Sequence, residues 1–356
     1  MPSLIFAIFA LSAFLLSLGL TWLVKRFALA RGIVDYPDGG RKIHTEPKPL
    51  LGGWAIYLSF TILMFVGLIF TDILPGKDLN LTVLTGIAVA GLIIMLGGWL
   101  DDYFKLKPAQ QLVAPLIAIG LVMVSGLGVK VITSPFGGVI NLNDVMWPGL
   151  AGAVTFFWLL GITYTTKLLD GLDGLASGIG VIGALVIFGL TQVTPFYQPS
   201  VGLLAIILAG SLLGFWVWNW HPARVFLGEG GSLLIGFMLG VLAIISGSKI
   251  ATTLLVMGIP VLDVAWIIIR RVFWEKHSLA QADRRHLHHR LLDIGLSHRQ
   301  AVGFLYALTA VFGISALFLG SRGKLVALGI LVLVMAFLAG LLVWVYKYKK
   351  NRDAAS

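Results

Sequence analysis

Residues 82–102 read TVLTGIAVAGLIIMLGGWLDD, and this stretch decides the fold. Nineteen residues without a charged side chain end in two adjacent carboxylates, Asp101 and Asp102. A helix needs about 20 mostly apolar residues to cross roughly 30 Å of hydrocarbon. The rest of the chain is similar, because 58% of its 356 residues are hydrophobic and 12% are charged, with a mean hydropathy of +0.96. The composition therefore predicts an integral membrane protein.

The apolar runs predict an all-α, polytopic membrane protein with about 11 transmembrane helices. Helices are expected because unpaired backbone groups in lipid cost several kcal/mol each, and the runs are too continuously apolar for barrel strands. The first run is interpreted as a retained span, since Lys25 and Arg26 follow it and no basic residue precedes it. The eleven runs lie at about 2–24, 50–71, 82–99, 112–129, 148–166, 174–193, 200–218, 232–247, 250–269, 300–320 and 324–346.

The distribution of basic residues predicts the orientation in the membrane. If the loops alternate between the two sides, one side holds 21 of the 26 Lys and Arg residues and the other holds five. Cytoplasmic loops carry the excess of Lys and Arg, so the N-terminus is expected outside and the C-terminus inside. The cytoplasmic side also carries all seven His and twelve of the sixteen acids. Function is therefore expected on that face.

One membrane-embedded domain, 1–356, is expected, and the His/Arg-rich cytoplasmic loop at 270–299 is too short to form its own core. Alternating apolar residues around a turn at 130–144 favour a small outer β-hairpin. With no cysteine, thiolate metal sites and disulfides are excluded. The net charge of +10 suits anionic lipids or an anionic substrate, whereas no nucleic-acid-binding motif is visible.

Two Asp pairs are the first candidate functional groups. Asp101 and Asp102, in GGWLDDYFKLKPAQQ, repel each other, which favours a nearby cation or a raised pKa; a polar helix end is the structural alternative. Asp170 and Asp173, in LLDGLDGLASG, share a face if the turn is helical, and Gly171 leaves room for a ligand. A solvated turn between helices is the alternative for this second pair.

Two further segments favour binding of phosphate. In HPARVFLGEGGS, a Gly-rich turn with Glu229 leads into a span, and the free N–H groups at the start of that helix suit an anion such as phosphate. A flexible hinge at the membrane surface is the alternative for this turn. In DRRHLHHRLLDIGLSHR, His286, His288, His289 and Arg290 lie among further arginines, which favour phosphate over zinc. A basic loop that anchors to the membrane surface is the alternative. Together with the Asp pairs, these segments favour Mg²⁺-assisted phosphoryl transfer on a nucleotide diphosphate.

Five motifs in this order resemble those of the polyprenyl-phosphate N-acetylhexosamine-1-phosphate transferases. They are RKIHTEPKPLLGG (41–53), LDDYFKLKPAQQ, LLDGLDGLASG, FLGEGGS and DRRHLHHRLLDIGLSHRQAV. The chain is most similar to the branch that passes N-acetylglucosamine-1-phosphate from UDP-GlcNAc to undecaprenyl phosphate. The muramoyl-pentapeptide branch usually has three consecutive histidines, where this chain reads HLHHR. The resemblance implies an enzyme of a bacterial-type plasma membrane that uses Mg²⁺, with Mn²⁺ as the alternative, and a homodimer is familiar in the family.

The resemblance also implies roles for particular residues. Asp101 and Asp102 would engage and activate the prenyl phosphate, and Glu229 would bind the metal together with Asp102. Asp263 matches an intramembrane Asp of the family. The residues expected to bind the substrates are Lys42, His44, Lys167, Asp170, Asp173, His286, His288, His289 and Arg290.

Three residues depart from the family pattern. Glu229 stands where the family has Asp, while Tyr164 and Lys167 stand where it commonly has Asn. Lys167 is expected to neutralise Asp170 in part or to bind phosphate. Two alternatives stay open at this point: a lipid or ion transporter, in which Asp263 lies on the pathway, and a catalytically silent relative that binds prenyl phosphate.

Overall fold

The structure, a computed structural model, describes residues 2–37, 46–76, 79–134, 138–142, 149–193, 197–247, 250–275 and 286–353. These residues are overwhelmingly helical. The helices are α1 (Pro2–Ala30), α2 (Gly52–Phe70), α3 (Leu81–Phe104), α4 (Pro108–Gln111), α5 (Val113–Val124), α6 (Leu150–Leu169), α7 (Leu175–Gln192), α8 (Pro199–Asn219), α9 (Gly228–Ile245), α10 (Ile250–Arg270), α11 (Leu287–Asp293), α12 (His298–Phe318) and α13 (Ser321–Asp353). A π-helical turn, Arg271–Glu275, continues α10.

The prediction of a polytopic all-α membrane protein is confirmed. Within the described residues, ten helices are long and apolar enough to cross a membrane. The run at 112–129 was predicted to span the membrane, but its helix α5 has only 12 residues, or about 18 Å, and is too short to do so. This helix ends at Val124, and two residues later Gly126 has a φ of +101°, a left-handed conformation that stops a helix. The direction in which the chain crosses the membrane stays a prediction.

Four short strands form two small antiparallel sheets. Strand β1 (Val34–Asp35) pairs with β2 (Lys48–Pro49). The hairpin predicted within 130–144 is confirmed, since β3 (Val131–Thr133) pairs with β4 (Val139–Asn141). Its placement on the outer side stays a prediction.

Helix α9 lies in the centre of the bundle and packs closely against α2 and α3. Every residue from Gly230 to Ile245 is buried. A Cβ atom added to Gly98 of α3 would lie 2.1 Å from Gly230, and one added to Gly53 of α2 would lie 2.3 Å from Gly231. Small residues let the backbones of membrane helices approach closely, so these crossings fix the ends of α3 and α9 relative to each other.

Candidate functional site

The ends of three apolar helices place charged residues next to one another. Asp101 and Asp102 lie in the last turn of α3, Lys167 in the last turn of α6, and Glu229 in the first turn of α9. Asp101 and Asp102 are only 6% and 9% exposed. A buried carboxylate needs a cation or hydrogen-bond donors, and the surrounding residues supply both.

The N-terminus of α9 holds Asp102. The backbone N–H of Glu229 donates to both carboxylate oxygens of Asp102, at 3.2 and 3.3 Å. Gly228 makes this approach possible, because its φ is +73° and an added Cβ would lie 2.5 Å from Asp102 Oδ2. The N-terminal N–H expected to face a substrate phosphate is thus engaged by the protein's own carboxylate.

Asp101 is held by the chain that follows α3. The backbone N–H of Leu106 donates to Asp101 Oδ1 at 3.0 Å, and the Gln111 side-chain amide donates to the same oxygen at 3.2 Å. Lys105, with a φ of 53°, reverses the chain between α3 and these donors. Sequence analysis missed Gln111, although it is the last residue of the LDDYFKLKPAQQ motif.

Lys167 connects three groups of the site. Its ammonium lies 2.9 Å from Glu229 Oε2 and 3.9 Å from Asp101 Oδ2, and it donates to Gln111 Oε1 at 3.0 Å. Lys167 was expected to pair with Asp170. Among the ion pairs of the described residues, it pairs with Glu229 and Asp101 instead. Tyr164, one turn earlier on α6, donates its hydroxyl to the Gln111 carbonyl at 3.3 Å. Tyr164 and Lys167, two of the three departures from the family pattern, therefore both contact Gln111.

Asp170 lies beside this cluster, in the turn after α6. Shielding from water, together with the nearby carboxylates of Glu229, Asp173 and Asp102, raises the pKa of Asp170 to about 8. Among the described residues, no side chain or backbone N–H forms a hydrogen bond or an ion pair with its carboxyl group. This site therefore favours an added cation or a proton at Asp170.

Asp173 is part of a different cluster. One of its carboxylate oxygens lies 2.8 Å from His221 Nδ1 and accepts from the Ala223 N–H at 3.0 Å. His298 Nε2 lies 3.3 Å from the Asp173 carbonyl oxygen. The two Asp residues diverge because the segment is a turn and not a helix, with Gly174 at a φ of +81°. His221 and His298 were missed by sequence analysis, although both lie within quoted motifs.

The histidine-rich segment is anchored by Asp263. His286 Nδ1 lies 2.8 Å from Asp263 Oδ2, and the Leu287 N–H donates to Asp263 Oδ1 at 2.9 Å. His288 is buried, and its Nε2 would lie 2.2 Å from a Cβ added to Gly171. The segment thus packs against the residue that follows Asp170.

The histidines differ in their surroundings. Burial and the neighbouring histidines hold the pKa of His288 well below its usual value, so its imidazole is neutral at pH 7. The His289 ring lies 4.3 Å from the His288 ring, and Arg290 follows on α11, partly buried. Of the predicted site residues, Lys42 and His44 lie outside the described residues.

The cluster of Asp101, Asp102, Lys167 and Glu229, together with the neighbouring Asp170, has donor atoms that fit a hard divalent cation. Asp102, Glu229 and Asp170 offer carboxylate oxygens, the ligands that Mg²⁺ prefers, and Asp170 has the capacity for a cation partner. Asp173, His221 and His298 also come close enough to hold a metal. However, the two imidazole rings stack 3.9 Å apart at 14°, so their in-plane lone pairs do not converge on one ion.

An apolar cavity opens next to the first cluster. It has a volume of about 320 Å³ and lies between α3 and α5, reaching Asp101 and Gln111 at one end. Its apolar lining includes Ile93, Leu96, Leu100, Leu106, Val113 and Ile117. The cavity can hold a hydrocarbon chain whose polar end lies at the carboxylates.

Fold and site together define a multi-pass membrane protein with a polar centre at one end of its helices. The family model described as glycosyl transferase family 4 matches residues 84–247. The chain is 32% identical to the "Probable undecaprenyl-phosphate N-acetylglucosaminyl 1-phosphate transferase" of Bacillus subtilis, covering 90% of this chain and 86% of that protein. The chain belongs to this family, and the resemblance drawn from its motifs is confirmed.

Two other relatives represent further activities of the family. The chain is 32% identical to the "Decaprenyl-phosphate N-acetylglucosaminephosphotransferase" of Mycolicibacterium smegmatis, over 87% of this chain and 81% of the relative. It is 33% identical to the "Phospho-N-acetylmuramoyl-pentapeptide-transferase" of Streptococcus uberis, over 62% of this chain and 68% of the relative. The similarity to the first of these covers more of the chain.

Proposed function

We propose that this protein transfers N-acetylhexosamine-1-phosphate, with GlcNAc-1-phosphate as the preferred group, from a UDP-sugar to undecaprenyl phosphate. The products are the lipid-linked sugar diphosphate and UMP, and the reaction initiates synthesis of a cell-surface glycan. The observation that carries this proposal is the cluster of Asp101, Asp102, Lys167 and Glu229 beside an apolar cavity. The names of the B. subtilis and M. smegmatis relatives support the same reaction.

The prenyl phosphate is assigned to the cavity between α3 and α5. Its hydrocarbon chain would pack on apolar residues such as Leu96 and Ile117, which leaves the phosphate near Asp101. A phosphate oxygen attacks the β-phosphorus of the UDP-sugar, and the bond from that phosphorus to the UMP oxygen breaks. Asp101 and Asp102 are the catalytic groups at this position, together with Glu229.

The nucleotide sugar is assigned to the opposite side of the cluster. The neutral His288 packs beside the Asp170 turn and can donate a hydrogen bond to a diphosphate, while Asp263 fixes the orientation of the His286 ring through its Nδ1. The residues proposed to bind this substrate are Lys42, His44, Lys167, Asp170, Asp173, His286, His288, His289 and Arg290.

Asp102 and Glu229 would hold a divalent cation, Mg²⁺ or alternatively Mn²⁺. When bound, such a cation neutralises diphosphate charge as the bond to UMP breaks. Gln111 and the backbone N–H of Glu229 fix the carboxylates before substrate arrives, which lowers the cost of ordering them during the reaction.

The site is assigned to the cytoplasmic face of a bacterial-type plasma membrane. The 21 to 5 distribution of basic residues supports this side, as does the position of the cluster at the end of α3 that precedes Lys105 and Lys107. The chain is proposed to act as one membrane domain, with 270–299 as a loop within it. Membrane lipids surround it.

The test measures UMP release by purified protein in detergent, with undecaprenyl phosphate and a panel of UDP-sugars, with and without Mg²⁺. We expect release that requires lipid, UDP-GlcNAc and metal, and its loss in Asp101→Asn, Asp102→Asn and Glu229→Gln. Lys107→Met is the matched control, since Lys107 is an exposed residue near the same helix end.

Two results would contradict the proposal. No release with any donor, from protein shown to be folded, would favour a silent prenyl-phosphate binder or a transporter. Activity near wild type in one of the three carboxyl variants would remove that residue from its role. The transporter is already disfavoured, because Asp263, the residue it would place on the pathway, holds His286 and the Leu287 N–H.

A further inference from the structure

Lys167 is the counter-ion of the carboxylate cluster formed by Asp101, Asp102 and Glu229. Its ammonium contacts Glu229 Oε2 at 2.9 Å, and Asp101 Oδ2 lies 3.9 Å away. Gln111 accepts from the same ammonium at 3.0 Å, while its amide donates to Asp101. The lysine side chain is only 16% exposed, whereas that of Glu229 is 40% exposed. The lysine is therefore fixed by protein oxygens, and Glu229 remains accessible from outside.

The ammonium and a divalent cation need the same oxygen. Mg²⁺ binds carboxylate oxygens at about 2.0–2.1 Å. With the ammonium 2.9 Å from Glu229 Oε2, a divalent ion on that oxygen would lie no more than about 5 Å from the ammonium. Two positive charges this close, at a partly buried site, repel each other strongly.

We propose that Lys167 competes with the divalent cation for Glu229 and is transferred to the substrate diphosphate when the cation binds. In the free protein Lys167 neutralises Glu229 and Asp101. When the cation takes Glu229, the ammonium leaves that oxygen and pairs with a phosphate. The first half of the proposal concerns metal binding alone, and the second half rests on the proposed function.

A lysine side chain suits this exchange. Its ammonium is a compact charge on a flexible stem, so it can turn from one oxygen to another without movement of α6. Gln111 Oε1 accepts from the ammonium at 3.0 Å, and because it is neutral and does not compete with phosphate for charge, we expect it to hold the ammonium after the exchange as well. An uncharged side chain at position 167 would leave Glu229 and Asp101 open to a metal.

The first experiment measures Mn²⁺ binding to the purified full-length protein, from the electron paramagnetic resonance signal of free Mn²⁺. Lys167→Met keeps an unbranched side chain, one atom shorter than that of lysine, and removes its charge. We expect this variant to bind Mn²⁺ about tenfold or more tightly than wild type, with Lys107→Met unchanged. Glu229→Gln in the Lys167→Met background should remove the gain, which assigns it to Glu229.

Equal or weaker Mn²⁺ binding in Lys167→Met overturns the competition, as does the absence of Mn²⁺ binding in both proteins. Thermal unfolding with EDTA shows whether the variant is folded, and we expect a lower midpoint than wild type that Mn²⁺ restores. If Lys167→Met does not fold, Lys167→Gln serves in the same comparison, because it is also neutral and retains hydrogen bonding.

The second experiment tests the transfer to the diphosphate. With saturating Mn²⁺, the affinity for UDP is measured by isothermal titration calorimetry. We expect weaker UDP binding in Lys167→Met, and unchanged affinity overturns this half of the proposal. The UMP-release assay keeps the two proposals separate. If Lys167→Met binds Mn²⁺ more tightly but the wild-type protein releases no UMP, the competition for Glu229 is retained and the proposed reaction is rejected.

Discussion

Replacing Gly98 by Ala tests whether the close crossing of α3 and α9 builds the site. The added Cβ would lie 2.1 Å from both the Cα and the N of Gly230, whereas ordinary contacts begin at 3.4 Å. The helices therefore have to separate locally by about 1.3 Å, the difference between these distances. Both near atoms belong to the backbone, so no side-chain rotation relieves the overlap.

The separation acts directly on Asp102, which follows Gly98 by one helical turn. The Glu229 N–H donates to Asp102 at 3.2 and 3.3 Å, and a further 1.3 Å would stretch both distances to about 4.5 Å, beyond hydrogen bonding. Overpacking costs about 1–3 kcal/mol, and loss of a hydrogen bond to a charged group costs about 1.5–3 kcal/mol. We expect a loss of about 3 kcal/mol in stability and about 100-fold in the rate of UMP release.

The assay pairs Gly98→Ala with Gly161→Ala. Gly161 lies inside α6, and no atom approaches an added Cβ within 4 Å. The control should unfold at or slightly above the wild-type midpoint, because Ala favours helix over Gly by about 1 kcal/mol. Thermal unfolding can be followed by the fluorescence of the 11 tryptophans. Wild-type stability and activity in Gly98→Ala would refute the claim that this crossing positions Asp102.

Three further variants test the surroundings of the cluster. Asp263→Asn should raise KM for the UDP-sugar about tenfold with a smaller change in kcat, because His286 loses its charged partner; an unchanged KM contradicts this. Without divalent cations, stability should fall as pH rises from about 4 to about 8, since the raised pKa of Asp170 makes the folded form hold a proton that the unfolded form releases. Asp170→Asn should remove this slope in thermal midpoints, and a retained slope assigns it elsewhere. Gly171→Ala should displace His288, whose Nε2 would lie 2.2 Å from the new Cβ, and weaken UDP binding measured by calorimetry; wild-type affinity would separate His288 from the nucleotide site.

The apolar runs could be predicted from sequence because span length and composition are local properties. The end of α5 could not, since it depends on the conformation of Gly126 and not on hydropathy. The motifs also indicated Asp101, Asp102, Glu229 and Lys167, because charged residues at span ends are conspicuous in an apolar chain.

The partners of these residues could not be predicted from local patterns. Gln111 and Lys167 are 56 positions apart, and their contact depends on the packing of α6 beside the chain that follows α3. The predicted common face of Asp170 and Asp173 depended on a helical turn, whereas the chain leaves α6 and starts α7 through Gly174. His221 therefore meets Asp173 and not Asp170.

The helix ends show why the cluster needs a cation. The C-terminal end of a helix carries partial negative charge, so Lys167 is favourable at the end of α6, while Asp101 and Asp102 are unfavourable at the end of α3. The N-terminus of α9 compensates Asp102 through the Glu229 N–H, yet it adds the Glu229 carboxylate to the same place. One lysine, shared between Glu229 and Asp101, cannot balance these three carboxylates. A purely structural role would be served better by neutral side chains, so the excess of negative charge favours a site that is completed when a divalent cation arrives with its phosphate substrate.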